Sequence, residues 1–253
     1  LMAMISSVCL GERWTRIERV VRLGCRCLLL GGGLVVLSGC TNEVPSSYDS
    51  GVPIELAQDR PDTISNVHYD LTFSIPSELS EPVRGAAIVT FDLRRDGNVV
   101  LDFAQGPDHV LSVRANGVDV QYAVKDEHIT ITDVPSGQAR FEIEFVSGDQ
   151  SLNRQADFMY TLFVPDRARF AFPVFDQPNI KARYDLELEL PISWRAVANG
   201  ARVSREAQRE RATVVFRETA PISSYLFSFT AGRFEVVEQE RAGRTMAMYH
   251  RET

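Results

Sequence analysis

The stretch Tyr160 to Pro191, YTLFVPDRARFAFPVFDQPNIKARYDLELELP, begins irregular and aromatic and ends in strict alternation. From Tyr184 on, the apolar Tyr184, Leu186, Leu188 and Leu190 alternate with Asp185, Glu187 and Glu189. Period two is the pattern of a strand with one buried and one wet face. FEIEFV repeats it, with Phe141, Ile143 and Phe145 set against Glu142 and Glu144. Strands of this kind belong to antiparallel sheets that rest one face on a core.

The same reading extends along the chain. Strands are predicted at Val67 to Ile75, Ala86 to Leu93, Val99 to Phe103, Ala212 to Arg217, Tyr225 to Thr230 and Phe234 to Glu240. Asn116-Gly117 between two alternating runs predicts a type I′ hairpin, whose two central residues both take positive φ. DEHITITD continues the meander, and no window offers a four-turn amphipathic helix. The fold class implied is all-β, an antiparallel β-sandwich packed through its apolar faces. Opposite charges in Arg202 to Arg211 read as the wet surface of a hairpin tip.

The first forty residues differ from the rest. Five arginines precede the apolar run Leu28 to Leu37, which LSGC closes at Cys40. A charged region, a short apolar core and small residues at the end predict an export signal over 1–39, too short to span a bilayer. LSGC resembles a bacterial lipobox, which implies lipidation at Cys40 and attachment to a membrane surface of the cell envelope without a spanning helix. Thr41, rather than Asp, after that cysteine would permit outer-membrane sorting in a two-membrane bacterium, as lipoproteins with such a sequence do. Residues 40–62, rich in Ser, Pro and Asp, read as a flexible tether to a domain over 63–253.

All four cysteines lie at or before Cys40, so the exported domain would hold neither disulfide nor thiolate metal site. Five Arg and two Glu leave with residues 1–39, making the remainder three charges more acidic than the chain's −7. Such a domain is a poor nucleic-acid binder, because phosphate contacts need an excess of Lys and Arg.

Catalytic patterns are scarce. His68, His109, His128 and His250 stand singly and read as surface or pocket-edge residues; HExxH, GxSxG and P-loop patterns are absent. A separated carboxylate pair for glycosidic chemistry stays open, since sequence gives no distances. On residues alone no catalytic and no metal-ligating set emerges, and the chain reads as a binding or structural sandwich.

One stretch points further. AFPVFDQPNIKARYDLELELP followed by WRAVANG resembles a signature of the N-terminal domain of M1-family zinc aminopeptidases. The matching positions are Phe172, Pro173, Phe175, Asp176, Pro178, Lys181, Ala182, Tyr184, Pro191, Trp194, Asn199 and Gly200. ETAPISSYLFSFTAGRF, Glu218 to Phe234, is similar to the strands that follow in the same family. The resemblance implies a saddle-shaped β-sandwich and a neighbouring catalytic domain that carries HExxH and zinc. That domain and peptide substrates are then the implied partners, and the chain reads as a piece ending where the catalytic domain begins.

Family members place a Gln and a Glu just before the signature, where they help hold the substrate's free amino group. An ungapped match on TLFVPDRAR puts Leu162 and Val164 at those positions, on a substrate-facing loop. An apolar side chain cannot neutralise an ammonium. The resemblance thus implies either an anchor elsewhere or an altered specificity. Two other readings remain: a stand-alone lipoprotein sandwich that binds peptides or a partner, and an unrelated carbohydrate-binding sandwich.

Overall fold

The structure is a computed structural model that describes residues 48–251; the proposed leader, Cys40 and the first residues of the tether lie outside the described residues. A short helix, α1 (Ile54–Thr63), leads into β1 (Ile64–Ser74), β2 (Arg84–Leu93) and β3 (Gly97–Asp102). Then come β4 (Val110–Ala115), β5 (Val118–Asp119), β6 (Tyr122–Lys125), β7 (His128–Val134), β8 (Gly137–Val146) and β9 (Phe158–Tyr160). After the long loop follow β10 (Ala182–Pro191), β11 (Arg195–Ala198), β12 (Arg202–Gln208) and β13 (Arg211–Phe216). The last strands are β14 (Phe229–Gly232), β15 (Glu235–Arg241) and β16 (Arg244–His250).

Eight strands form one sheet in the order β12-β13-β10-β1-β2-β8-β4-β5, and two three-stranded sheets, β3-β7-β6 and β11-β14-β9, supply facing layers. A separate hairpin, β15-β16, completes the described chain. The alternating residues meet as their period requires: Tyr69, Leu71 and Phe73 of β1, Phe141, Ile143 and Phe145 of β8, and Leu186, Leu188 and Leu190 of β10 share one buried cluster with Leu101 of β3, Ile129 and Ile131 of β7, and Phe229 of β14. Burial of Val, Leu, Ile or Phe at such positions contributes about 1.5–3 kcal/mol each before ordering costs. The Asn116-Gly117 turn has φ of 51° and 79°, the left-handed pair the hairpin needs.

Three expectations about the strands and the tether change. The large sheet is antiparallel except between β1 and β10, which run parallel with Val67 opposite Ala182 and Ser74 opposite Glu189. Alternation specifies which face is buried, not the direction of the neighbour, so this pair was invisible in the sequence. The segment read as a flexible tether is helical from Ile54, and α1 buries Leu56, Arg60 and Thr63. Between Tyr225 and Thr230 only the end is strand: Ser224–Leu226 is a 3-10 turn, and β14 begins at Phe229.

The hairpin between β12 and β13 is exposed, with Arg209 at φ 55° in its turn. Arg211 departs from the solvated reading. Its guanidinium donates to the carbonyls of Ile75 at 2.7 Å and Glu189 at 3.0 Å and to Ser74 Oγ at 2.9 Å.

Candidate functional site

The loop between β9 and β10 has a buried back and an exposed front. Phe163, Phe172 and Phe175 are 2%, 0% and 1% exposed. Phe172 stands edge-on to Tyr69 and Phe73, both at 6.1 Å, to Phe163 at 5.8 Å and to Phe227 at 5.9 Å. Tyr184 stacks between Phe227 at 4.5 Å and Tyr69 at 5.1 Å. Edge-on and offset aromatic pairs each add about 0.5–1.5 kcal/mol beyond the area they bury. The Tyr69 hydroxyl accepts the Phe175 N–H at 2.8 Å, and burial holds that phenol well above its usual range.

Behind the aromatics lies a buried polar network. Arg60 of α1 donates to Asp102 Oδ1 at 2.6 Å and Oδ2 at 2.7 Å, and to the Val100 carbonyl at 2.9 Å. Asp102 Oδ2 also accepts the Asp176 N–H at 2.8 Å, and its backbone pairs with Val174 in both directions. His128 places Nε2 2.8 Å from the Gly51 carbonyl and 3.5 Å from Asp102 Oδ1. Asp176 accepts from Ser224 Oγ at 2.6 Å and from the Arg169 N–H at 3.1 Å. Burial raises the Asp176 carboxyl above its usual pKa, while the Ser224 and Arg169 bonds pull it back. Gln177 reaches α1 through the Ala57 carbonyl at 2.7 Å. The loop is thus bolted to β3, α1 and the segment before β14.

Its front alternates. Tyr160, Leu162 and Val164 are 44%, 45% and 52% exposed, whereas Thr161 and Phe163 between them are buried. Thr161 is held from both sides, donating its N–H to the Phe229 carbonyl and accepting the Phe229 N–H on Oγ1, each at 3.0 Å. The Leu162 N–H donates to the Ser151 carbonyl at 2.9 Å. Leu162 and Val164 therefore stand outward on a fixed backbone. Nearby carboxylates are engaged: Asp166 and Glu127 lie 2.9 and 3.3 Å from Arg169, whose guanidinium also covers Phe170. The front can offer apolar contact and no committed partner for an ammonium.

The remaining signature positions hold the corner. Trp194 is buried. Asn199 donates to the Leu226 carbonyl at 3.0 Å and accepts the Ser228 N–H at 2.6 Å. A Cβ on Gly200 would sit 2.0 Å from the Arg217 carbonyl oxygen, so only glycine fits. Lys181 is exposed.

The histidines divide. His128 is fully buried, against the surface expectation, because Asp102 and the Gly51 carbonyl give its ring a polar niche. His109 bonds the Val146 carbonyl at 2.8 Å. His68 meets two carboxylates, a grouping that single histidines in the sequence did not predict. Arg60 and Asp102, 42 residues apart, carried no local signal that separated them from surface charges. These 253 residues contain no HExxH and so do not supply the histidine pair that such a motif offers to a zinc ion.

A family model described as the peptidase M1 N-terminal domain matches residues 65–226. Leucine aminopeptidase 2 of Yarrowia lipolytica is 24% identical over 169 residues, covering 58% of this chain and 25% of that protein. The puromycin-sensitive aminopeptidase of Caenorhabditis elegans is 36% identical over 92 residues, 35% of this chain and 10% of that protein. The crystal structure of an M1 zinc metallopeptidase from Deinococcus radiodurans superposes with a TM-score of 0.61 at 22% identity, covering 73% of this chain and 46% of the other. The chain thus spans a quarter or less of these curated relatives and under half of that structure.

Proposed function

The chain belongs to the peptidase M1 N-terminal domain family, and from that premise we propose that it is the non-catalytic β domain bordering the substrate site of an exported, lipid-anchored zinc aminopeptidase. Zinc and its activated water belong to a catalytic domain outside these 253 residues. The contribution of this chain is a fixed wall. Its buried side seats Phe172, Phe175 and Asp176 in the sandwich, and its outer side turns Leu162 and Val164 toward the peptide.

The observation that carries this reading is the alternation at Tyr160 to Val164, where a backbone pinned through Thr161 and Phe163 presents two exposed apolar side chains; the ungapped match of the sequence sets these two residues against the family's amine-binding pair. Peptide termini would then meet an apolar surface here, and the ammonium would be neutralised by the catalytic domain. Export and the anchor rest on Cys40; among the described residues no helix is long and apolar enough to cross a membrane.

The test is metal content and hydrolysis of aminoacyl anilides by the full-length product of the locus. About one zinc per chain with exopeptidase activity supports the reading, and a zinc-free inactive product overturns it. A second reading, a stand-alone peptide-binding lipoprotein, draws on the same exposed row of Tyr160, Leu162 and Val164. Saturable peptide binding by the 253-residue chain, from a locus that encodes no catalytic domain, would favour it.

A further inference from the structure

On the solvent face of the large sheet, three chain segments bring one imidazole and two carboxylates together. His68 of β1 places Nε2 2.9 Å from Asp185 Oδ2 of β10 and 3.4 Å from Oε2 of Glu218, two residues beyond β13. One donor atom from each of the three lies within 4.8 Å of the others. We propose that His68, Asp185 and Glu218 form a binding site for a divalent transition-metal ion of the zinc class. This site is separate from the zinc of the proposed catalytic domain.

The spacing suits such an ion. Bonds of about 2.0–2.1 Å in a tetrahedron set donor atoms roughly 3.3 Å apart, and the two separations from His68 bracket that value. A metal ion on Nε2 would replace the hydrogen bond that this nitrogen shares with Asp185, because imidazole binds a metal through an unprotonated nitrogen. One nitrogen and two oxygens favour zinc or cobalt over calcium and magnesium, which prefer all-oxygen shells. The side chains of His68, Asp185 and Glu218 are 28%, 40% and 43% exposed, so an ion can enter and water can fill the fourth position.

The donors are also held in advance. Parallel pairing of β1 with β10 fixes His68 one step from Asp185, with His68 opposite Arg183 and Asp70 opposite Asp185. Glu218 is fixed by its neighbour: the Thr219 N–H donates to the Tyr184 carbonyl at 3.1 Å, and Thr219 Oγ1 accepts the Tyr184 N–H at 3.2 Å. Arg183 Nη1 approaches Glu218 Oε1 at 4.0 Å, on the oxygen that does not face His68. That contact orients Oε2 toward the site, the role outer partners commonly play around a metal. Asp70 adds a further carboxylate beside Asp185.

The experiment uses the 253-residue chain, chelator-stripped and with its cysteines alkylated so that thiolates cannot bind. Zinc is titrated by calorimetry, and cobalt is followed by its visible absorption. One equivalent should bind, with a cobalt spectrum free of sulfur charge-transfer bands and a rise in Tm of about 3–5 °C at saturating zinc. His68→Gln should weaken binding at least tenfold, and Glu218→Gln provides an independent variant should His68→Gln fail to fold. His109→Ala should leave the titration unchanged. No binding, or binding that survives loss of His68 or Glu218, overturns the site and leaves His68 as a hydrogen-bond partner of Asp185.

Discussion

Arg60 grips Asp102 through two N–H···O bonds, one from each terminal nitrogen to a different carboxylate oxygen, of 2.6 and 2.7 Å, with 2% and 0% of the two side chains exposed. The pair joins α1, before the sandwich, to the edge of β3, and Asp102 passes the connection to the signature loop through the Asp176 N–H. Removing one partner of a buried pair leaves the other charge without compensation and costs about 3–5 kcal/mol. Arg60→Ala should lower the urea midpoint accordingly. Arg114→Ala, which breaks the exposed pair with Asp119, should cost under about 1 kcal/mol. Equal effects of the two substitutions would show that α1 is not part of the folded unit.

Gly200 is the next lever. With the Arg217 carbonyl 2.0 Å from where a Cβ would stand, Gly200→Ala must displace backbone rather than a flexible side chain. A loss of about 1–3 kcal/mol is expected from such overpacking. Thermal unfolding of the variant measures it, and an unchanged Tm would contradict the close approach.

The buried Asp176 carboxyl should give the stability an acid-side signature. Its pKa is raised in the fold, first by burial, so the folded protein binds this proton more readily than the unfolded chain. The stabilisation is complete below the unfolded value of about 3.9 and is lost as pH rises through the raised folded value. Relative to Asp176→Asn, which cannot titrate, the wild type should therefore gain Tm as pH falls from about 7 to about 4. A Tm difference that stays flat over this interval would mean that burial does not penalise the ionised form.

In the full-length enzyme proposed above, polar groups placed at the front of the loop should change substrate recognition. Leu162→Gln with Val164→Glu places an amide and a carboxylate at two exposed, backbone-fixed positions. A charge-assisted bond to a free amine contributes about 1.5–3 kcal/mol, so KM for peptides with a free N-terminus should fall roughly tenfold and N-acetylated ligands should gain nothing. Steady-state kinetics and competition by blocked peptides measure the two arms. No change in KM would put the amine out of reach of this loop.

Cys40→Ser tests the anchor. Incorporation of a labelled fatty acid and recovery in the membrane fraction should both be lost, since acyl chains on that cysteine are what would hold the protein at a membrane surface.

Much of the architecture was legible because it depends on short-range pattern. Alternation in Tyr184 to Leu190 and Phe141 to Val146 marked strands and their buried faces, and Asn116-Gly117 marked its turn, because each needs only the local geometry of neighbouring residues. The outward setting of Leu162 and Val164 follows the same period around a buried Phe163. The helix at Ile54 was missed because it is short, weakly apolar and carries Pro61, and its stability comes from Arg60 and Leu56 meeting the sandwich.

By itself, then, the sequence determined the β class, the faces that β8 and β10 bury and the family signature from Phe172 to Gly200. Tertiary structure alone decided that β1 and β10 run parallel, that Arg60 finds Asp102, and that His68 meets Asp185 and Glu218. The reason is the range of the interactions. A side chain's face is set within a few residues by the backbone period, whereas charge partners 42 to 150 residues apart are chosen by the path of the whole chain and the need to pair or solvate every charge it brings together.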